Sequence, residues 1–488
     1  MSRYYIACAL GTDSGKVSLG HLQRDSLVVS EIHRFQNIPI KDGDSLQWDV
    51  QRLYDEVLAG LKSVASYDEP VDGISFSSWG ADYMLFDSAG SVMAPTYHRA
   101  DSRAEEAMHK VLDRLPIEVL YEETGVQAAP MNTIFQLAAE KSKRLSKANH
   151  LMPVADGFNY LLTGTPRIEL SSASRTQLYN PMTRSWSDRI CQALSIPTSL
   201  FPPLVEAGTT LGSLRPALAK ETGLVDTQVV ASCSHDIAAA LAGLPVEEGE
   251  SWAYLRSGAW AVMGTETDSP IIETASRERQ FTNEIGFMGK VNFHKRAPAL
   301  WLMKECQRVW ESEGRGMDTE LLLHLAGATP PFESLIDPSD SRFLTPGDMP
   351  AKIQAFCKET NQPVPRKPGP IARCVLESLA LSFRKDLEDL QDLTGKTITR
   401  LYVMNGAASP LLNYFTANAL RLPVVVLPTD VTAIGNIVVQ ALALGHINSL
   451  EQAREMVRRS MKTQTIMPHG NWQMPYSRFS ALMPVTAS

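Results

Sequence analysis

The sequence predicts an α/β protein built as two domains. Strand-like and helix-like segments alternate through both halves of the chain, the pattern that lays helices against sheets. Each half opens on a strand, a Gly/Ser-rich turn and a second strand, over residues 5–19 and again over 253–264. A length of 488 residues exceeds what one core organises and fits two domains of about 240 residues. Turn chemistry and a charge cluster at Leu244-Pro245-Val246-Glu247-Glu248-Gly249-Glu250 place the boundary, giving domains 1–244 and 245–488.

The elements follow in order. Residues 71–76 form a short apolar strand, and 81–86 read as its neighbour, closed by the turn Asp87-Ser88-Ala89-Gly90. Helical periodicity covers 104–115, 132–145 and 156–162, the last stopped by Thr163-Gly164-Thr165-Pro166. Val229-Val230-Ala231 is a strand, and a helix starts near Ile237. In the second half a loop-rich stretch over 330–350 precedes helices at 351–360 and 371–393. A buried strand at 398–404 runs into Asn405-Gly406-Ala407-Ala408-Ser409-Pro410 before another helix, an arrangement along which a nucleotide can lie. A strand at 424–427 leads to a last helix from about Thr432.

Composition narrows the class. Hydrophobic residues at 44% and charged residues at 20% describe a soluble globular protein. A net charge of -8 argues against nucleic acid as a partner. The six cysteines are scattered with no CxxC pair, which disfavours zinc and disulfide frameworks and fits a reducing compartment. The N-terminus lacks signal-peptide architecture, and the best apolar run is interrupted by Asn436 and Gln440 before the ~18 residues of a membrane span. The expectation is a cytoplasmic chain with no membrane partner, as a monomer or a homodimer.

Three segments carry candidate chemistry. Ser234-His235-Asp236 stands between an apolar strand and a helix, where Asp236 is placed either to take a proton from a substrate hydroxyl or to cap the helix. The segment alone favours the cap, and His235 is equally open between a structural and a catalytic role. Gly80 in Trp79-Gly80-Ala81-Asp82 allows close ligand approach, and Asp82 either holds a polyol hydroxyl or is a solvated residue on a bulge. Asp101-Ser102-Arg103 suits a polyol site or a surface ion pair equally. In the two hairpins, glycine turns let backbone N–H groups approach a phosphate.

Taken together and in this order, these segments resemble the FGGY carbohydrate kinases, and among them the bacterial rhamnulokinases. The resemblance runs from the first hairpin to the helix after Gly435, through Trp48-Asp49-Val50, Asn132-Thr133, Thr176-Gln177-Leu178, Asn283-Glu284 and Thr432-Ala433-Ile434-Gly435-Asn436. It implies two actin-like/ribonuclease-H-like domains of the ASKHA superfamily, closing an interdomain cleft over a ketose such as L-rhamnulose and Mg-ATP. Asp236 would be the general base, with Gly80, Asp82, His235 and Arg296 at the sugar. Thr12, Asp13, Ser14, Gly15 and Lys16, with Ser257, Gly258 and Ala259, would hold phosphates, and Lys304 and Gly406 would meet the nucleotide.

The chain departs from the family pattern on the nucleotide side. Ala9 stands where the family carries the carboxylate that orients hydrated Mg²⁺, and Ala259 where it carries a hydroxyl near the terminal phosphate. Asn405-Gly406-Ala407 replaces a Gly-Gly-Gly turn. No direct metal ligand is expected. Asp13 is a candidate to act through water, and Lys16, Arg256 or Arg296 could neutralise phosphate charge. Losing one transition-state donor costs about 10²–10³ in rate. The alternative is therefore a catalytically impaired relative that binds sugar or regulates.

Overall fold

The computed structural model describes residues 2–483 other than 25, 66, 68, 407, 408, 429 and 430. The chain divides into two compact units, and neither is contiguous in sequence. The first comprises Met1–Glu248, Glu266–Phe293 and Asp430–Met461, and the second Gly249–Thr265, His294–Thr429 and Lys462–Ser488.

The first unit is organised by six strands: β1 (Arg3–Leu10), β2 (Ser14–Leu22), β3 (Leu27–Gln36), β4 (Val71–Ser78), β5 (Thr209–Ser213) and β6 (Gln228–Ala231). Their order across the sheet is β5-β6-β4-β1-β2-β3. β1 pairs antiparallel with β2 and parallel with β4, which in turn pairs parallel with β6. Side chains alternate across a strand, and β1 is apolar on both faces. Ile6, Cys8 and Leu10 enter one buried cluster with residues of the helix Val50–Ala65. Tyr5 and Ala7 enter another with Ala433, Ile437 and Ala441 of the helix Val431–Ala443. That explains why a segment from the far end of the chain belongs to the first unit. Gln440, which interrupts this helix's apolar run, donates to the Ile6 carbonyl at 2.9 Å.

The second unit repeats the theme with β7 (Trp252–Arg256), β8 (Trp260–Thr267), β9 (Arg400–Met404), β10 (Val424–Val426) and β11 (Gln464–Ile466), adjacent in the order β8-β7-β9-β10-β11. Here β7 pairs antiparallel with β8 and parallel with β9, as β1 does with β2 and β4. The long helix expected near 371–393 runs Pro368–Thr394, ended by Gly395 in the left-handed conformation.

Two expectations are corrected. The strand Tyr83–Phe86 is not a neighbour of β4; it pairs antiparallel with His150–Pro153 in a separate two-stranded sheet. The reason lies in the intervening turn: Gly80 and Ala81 both have positive φ, at 68° and 73°, and redirect the chain. The helix expected over 132–145 is broken into Thr133–Ala138 and Ser142–Leu145, because Lys141 adopts extended backbone ahead of the second piece. Among the described residues no helix is long and apolar enough to cross a membrane.

Candidate active site

The loop between β6 and the helix Asp236–Ala242 is pinned on both sides. The Ser78 N–H at the end of β4 donates to the Ser234 carbonyl at 2.8 Å, and Ser78 and His235 form an isolated parallel bridge. His235, with extended backbone, is the N-cap residue, and no side chain caps this helix. Asp236 is its first helical residue, so the capping role that the segment suggested for its carboxylate is not the one it takes. The helix itself is seated by a close crossing. A Cβ on Gly435 would stand 1.7 Å from the Ala239 carbonyl oxygen, a distance only glycine permits.

Around this loop the chain brings together residues that are far apart in sequence. His235 Nδ1 lies 3.1 Å from Glu284 Oε2, and His235 Nε2 lies 3.4 Å from Asp236 Oδ1. Glu284 Oε1 lies 3.2 Å from Arg175 Nε, and Arg175 donates through Nη1 to Asn132 Oδ1 at 3.1 Å. Gly80 borders the same group, since a Cβ there would come within 3.0 Å of both Arg175 Cγ and His235 Cδ2. The side chains of His235 and Glu284 are 4% and 2% exposed, whereas Asp236 keeps 15%. A carboxylate placed in this way can accept a proton from a bound hydroxyl, while its neighbours fix its setting.

Asp82 is nearby in sequence but engaged by the protein. Its Oδ2 accepts from Trp48 Nε1 at 2.6 Å, Trp79 Nε1 at 2.9 Å and the Arg99 N–H at 3.2 Å, and its Oδ1 accepts from Gln136 Nε2 at 2.9 Å. Those four donors match what a carboxylate can accept. Burial pushes the Asp82 carboxyl up, opposed by its hydrogen bonds from Trp48, Gln136 and Trp79. The Ala81 carbonyl beside it accepts from Thr133 Oγ1 at 2.6 Å and Gln136 Nε2 at 3.3 Å, bonds that hold a non-glycine residue at positive φ. Asp101 and Arg103, read as a polyol site or a surface pair, are largely buried and work locally. They do form the ion pair, Arg103 Nε lying 3.6 Å from Asp101 Oδ1, but inside the protein; Asp101 also accepts from the Leu46 N–H at 2.7 Å, and the Arg103 guanidinium lies 3.5 Å from the Tyr97 ring centre.

The hairpin turns are built differently. In the first, the Gly11 N–H donates to the Ser14 carbonyl at 3.0 Å, Asn37 Nδ2 donates to the Gly11 carbonyl at 2.8 Å, and the Asn37 N–H donates to the Asp13 carbonyl at 3.0 Å. Asp13 is exposed, Thr12, Ser14 and Lys16 are half-buried, and Lys16 Nζ lies 3.9 Å from Glu31. Ala9 pairs with Lys16 across the hairpin. Gly15 is buried under Phe35, whose ring would meet an added Cβ.

In the second turn the Ser257 N–H donates to the Met404 carbonyl at 3.0 Å. The Gly258 carbonyl accepts from the Leu300 N–H at 3.1 Å, and the Ala259 carbonyl from those of Ala299 and Trp301 at 3.2 and 2.9 Å. The turn thereby abuts the start of the helix Trp301–Ser312, on which Lys304 is exposed. Arg296 is also exposed, with its guanidinium 4.6 Å from the Trp260 ring centre. Gly406, at the end of β9, is buried, and its carbonyl accepts from Asn413 Nδ2 at 2.8 Å. Ala407 of the Asn405-Gly406-Ala407 departure lies outside the described residues. Among the described residues no group of three or more His, Cys, Asp or Glu side chains is placed to hold a metal ion.

Sequence comparison decides the family. Residues 4–243 match the N-terminal domain, and residues 253–444 the C-terminal domain, of the FGGY family of carbohydrate kinases. The chain belongs to that family. It is similar to a rhamnulokinase of Enterococcus faecalis, 35% identical over 486 residues that span 99% of this chain and 97% of the relative. A rhamnulokinase of Bacteroides thetaiotaomicron is 34% identical, covering 98% of this chain and 99% of its own. The fold matches a xylulose kinase from Rhodospirillum rubrum with a TM-score of 0.82 at 19% identity, over 98% of this chain and 97% of the other. It matches Plasmodium falciparum glycerol kinase with a TM-score of 0.81 at 12% identity, over 98% and 96% of the two chains. As a member of the FGGY family of carbohydrate kinases, the protein is an ATP-dependent sugar kinase with the two-domain α/β fold of that family.

The sequence alone does not single out Arg175, Asp156 or Glu169, and Glu284 enters only through the family resemblance. The one available signal is an acid set into an apolar segment, as in Val154-Ala155-Asp156-Gly157-Phe158 and in Phe281-Thr282-Asn283-Glu284-Ile285.

Proposed function

We propose that the protein transfers the γ-phosphoryl group of ATP to a hydroxyl of a ketose, with L-rhamnulose the leading candidate and Asp236 the general base. The carrying observation is the contrast in exposure: Asp236 is open to a bound hydroxyl, while His235 and Glu284 beside it are closed in. The sugar class is supported by the similarity to rhamnulokinases along nearly the whole chain.

In this reading the sugar O–H gives its proton to the Asp236 carboxylate as its oxygen bonds to the γ-phosphorus, and the bond to ADP breaks in line. The family resemblance assigns Gly80, His235 and Arg296 to the sugar, and Asp82 sets the neighbouring indoles. It assigns the backbone of Thr12–Lys16 and of Ser257–Ala259, with Lys304 and Gly406, to the nucleotide. Kinases of this family use ATP with a divalent metal. Among the described residues, Ala9 offers Mg²⁺ no carboxylate, and Asp13, exposed on its turn, is the candidate to act through water. Mg²⁺ would arrive as part of Mg-ATP. We place the reaction in the cytoplasm, with sugar and ATP as the partners.

The same two alanines favour a second reading, in which sugar binding survives and phosphoryl transfer is weak or lost. The experiment offers Mg-ATP and a panel of ketoses including L-rhamnulose, and follows ADP release together with the phosphorus resonance of the product. Sugar-dependent ADP and a new phosphomonoester signal support the first reading. Saturable ketose binding without either product supports the second.

A further inference from the structure

Beneath the Ser234–His235 peptide lie two carboxyl groups that phosphoryl transfer as described does not use. Asp156, on the helix Val154–Thr163, and Glu169, just ahead of the helix Leu170–Arg175, are 2% and 1% exposed. The hydrogen bonds they receive come from hydroxyl and amide groups. Asp156 accepts from the Ser172 hydroxyl and, at 2.7 Å, from Ser234 Oγ. Glu169 accepts from the Ser171 N–H at 2.9 Å, from the Ser171 hydroxyl and from the Ser234 N–H at 2.8 Å. Ser171 Oγ in turn accepts the His235 N–H at 3.0 Å. The N–H groups of both residues ahead of Asp236 therefore end on this pair, directly from Ser234 and through one hydroxyl from His235.

The surroundings supply little positive charge. Cys233, on the loop, faces Glu169, and burial and that carboxyl push its thiol well up. The Tyr179 hydroxyl also faces Glu169, although burial and Arg184 act on it more strongly. Arg175, at the end of Glu169's helix, is engaged by Glu284, and the loop itself carries His235 and Asp236. Burial raises Asp156 to about 7, and burial together with Asp156 raises Glu169 to about 8. Two carboxylates in one dry site resist ionising together, so their protons leave in two coupled steps.

We propose that Asp156 and Glu169 are positioning residues that hold the Ser234–His235 peptide, and with it Asp236, in register for proton transfer only while the pair retains a proton. The proposal deepens the kinase reading and rests on it for the role of Asp236. Protonated Glu169 donates to Ser171 Oγ, whereas ionised Glu169 accepts from it, so ionisation reverses a hydrogen bond one atom away from the His235 N–H. Full ionisation repels the two carboxylates, and Ser234, bonded to both, is the residue that moves. The sign is fixed by linkage. With both groups raised above the ordinary carboxylate range of about 4, the folded chain binds more protons than the unfolded one between about pH 4 and 8. Stability then falls as pH rises through that window, and the loop loosens at its alkaline end.

The test follows the histidine rings by NMR in protein labelled at Cε1, from pH 5.5 to 9 and without nucleotide, with the His235 signal identified by its loss in His235→Asn. The expected result is a step in the His235 signal that reports ionisation of the carboxyl pair near pH 7–8 and that Asp156→Asn or Glu169→Gln moves by about one unit or removes, with the remote histidines unchanged. In the same window kcat should fall about tenfold while KM for ATP holds, and the variants should lose that alkaline limb. Should both variants misfold, Ser234→Ala keeps the pair, removes the bond from Asp156 to the loop while the Ser234 N–H stays on Glu169, and should reduce the His235 step. A His235 curve identical in wild type and variants overturns the proposal. A preserved step with no sugar-dependent ADP release leaves the pair's hold on the Ser234–His235 peptide standing and overturns the kinase reading instead.

Discussion

The His235–Asp236 network and the two hairpin turns are held in place by different means. In the network, position comes from buried side chains that reach across the sequence: Glu284 to His235 and Arg175, and Asp82 to two indoles, an amide and a backbone N–H. In the turns, position comes from the backbone, through carbonyls that accept from Asn37, Leu300 and Trp301. The consequence for sequence change is asymmetric. A side chain in the network cannot change without orphaning buried partners, whereas a side chain on a turn can be lost without disturbing the strands. Ala259 sits in the second kind of region, and Ala9 stands half-buried in β1, one residue before its end. The fold accommodates them, and whatever they cost falls on the chemistry.

Four substitutions bear on that contrast, in decreasing order of expected effect on stability. Glu284→Ala leaves Arg175 and His235 facing an uncompensated gap and should cost about 3–5 kcal/mol, read as a large fall in thermal midpoint. Gly435→Ala drives a methyl into the Ala239 carbonyl and should cost about 1–3 kcal/mol, with loss of turnover because the helix carrying Asp236 must shift. Asp82→Asn turns an amide N–H₂ toward groups that already donate and should cost about 2 kcal/mol. Ala259→Thr should change stability by less than about 0.5 kcal/mol yet raise Mg-ATP turnover about tenfold or more, through the restored hydroxyl. The contrast breaks if Ala259→Thr destabilises the protein as much as Asp82→Asn does.

Much of this was legible in the sequence, and the part that was not has a physical cause. The hairpins, the strand before Ser234 and the helix after it follow from period-2 and period-3.6 patterns that are local. The partner of Tyr83–Phe86 was misjudged because alternation marks a strand but not its neighbour, and the neighbour was decided by the positive-φ turn at Gly80-Ala81. Asp236 was legible as a candidate base, but its companions were not. Glu284 arrives on a strand from the second half of the chain, and Asp156 and Glu169 sit inside segments whose apolar pattern already explains them. The assignment of 430–461 to the first unit, across the boundary expected at 244, depends on which face of β1 needs covering.

The central claim is that Asp236 takes the proton of a sugar hydroxyl during phosphoryl transfer. The most direct measurement compares wild type with Asp236→Asn on the ketose that gives the fastest ADP release, with sugar affinity measured separately by calorimetry. The account predicts that the variant binds sugar within about threefold of wild type and loses turnover by about 10³-fold. A variant that keeps wild-type turnover, or one that loses sugar binding in proportion to its lost turnover, would contradict it.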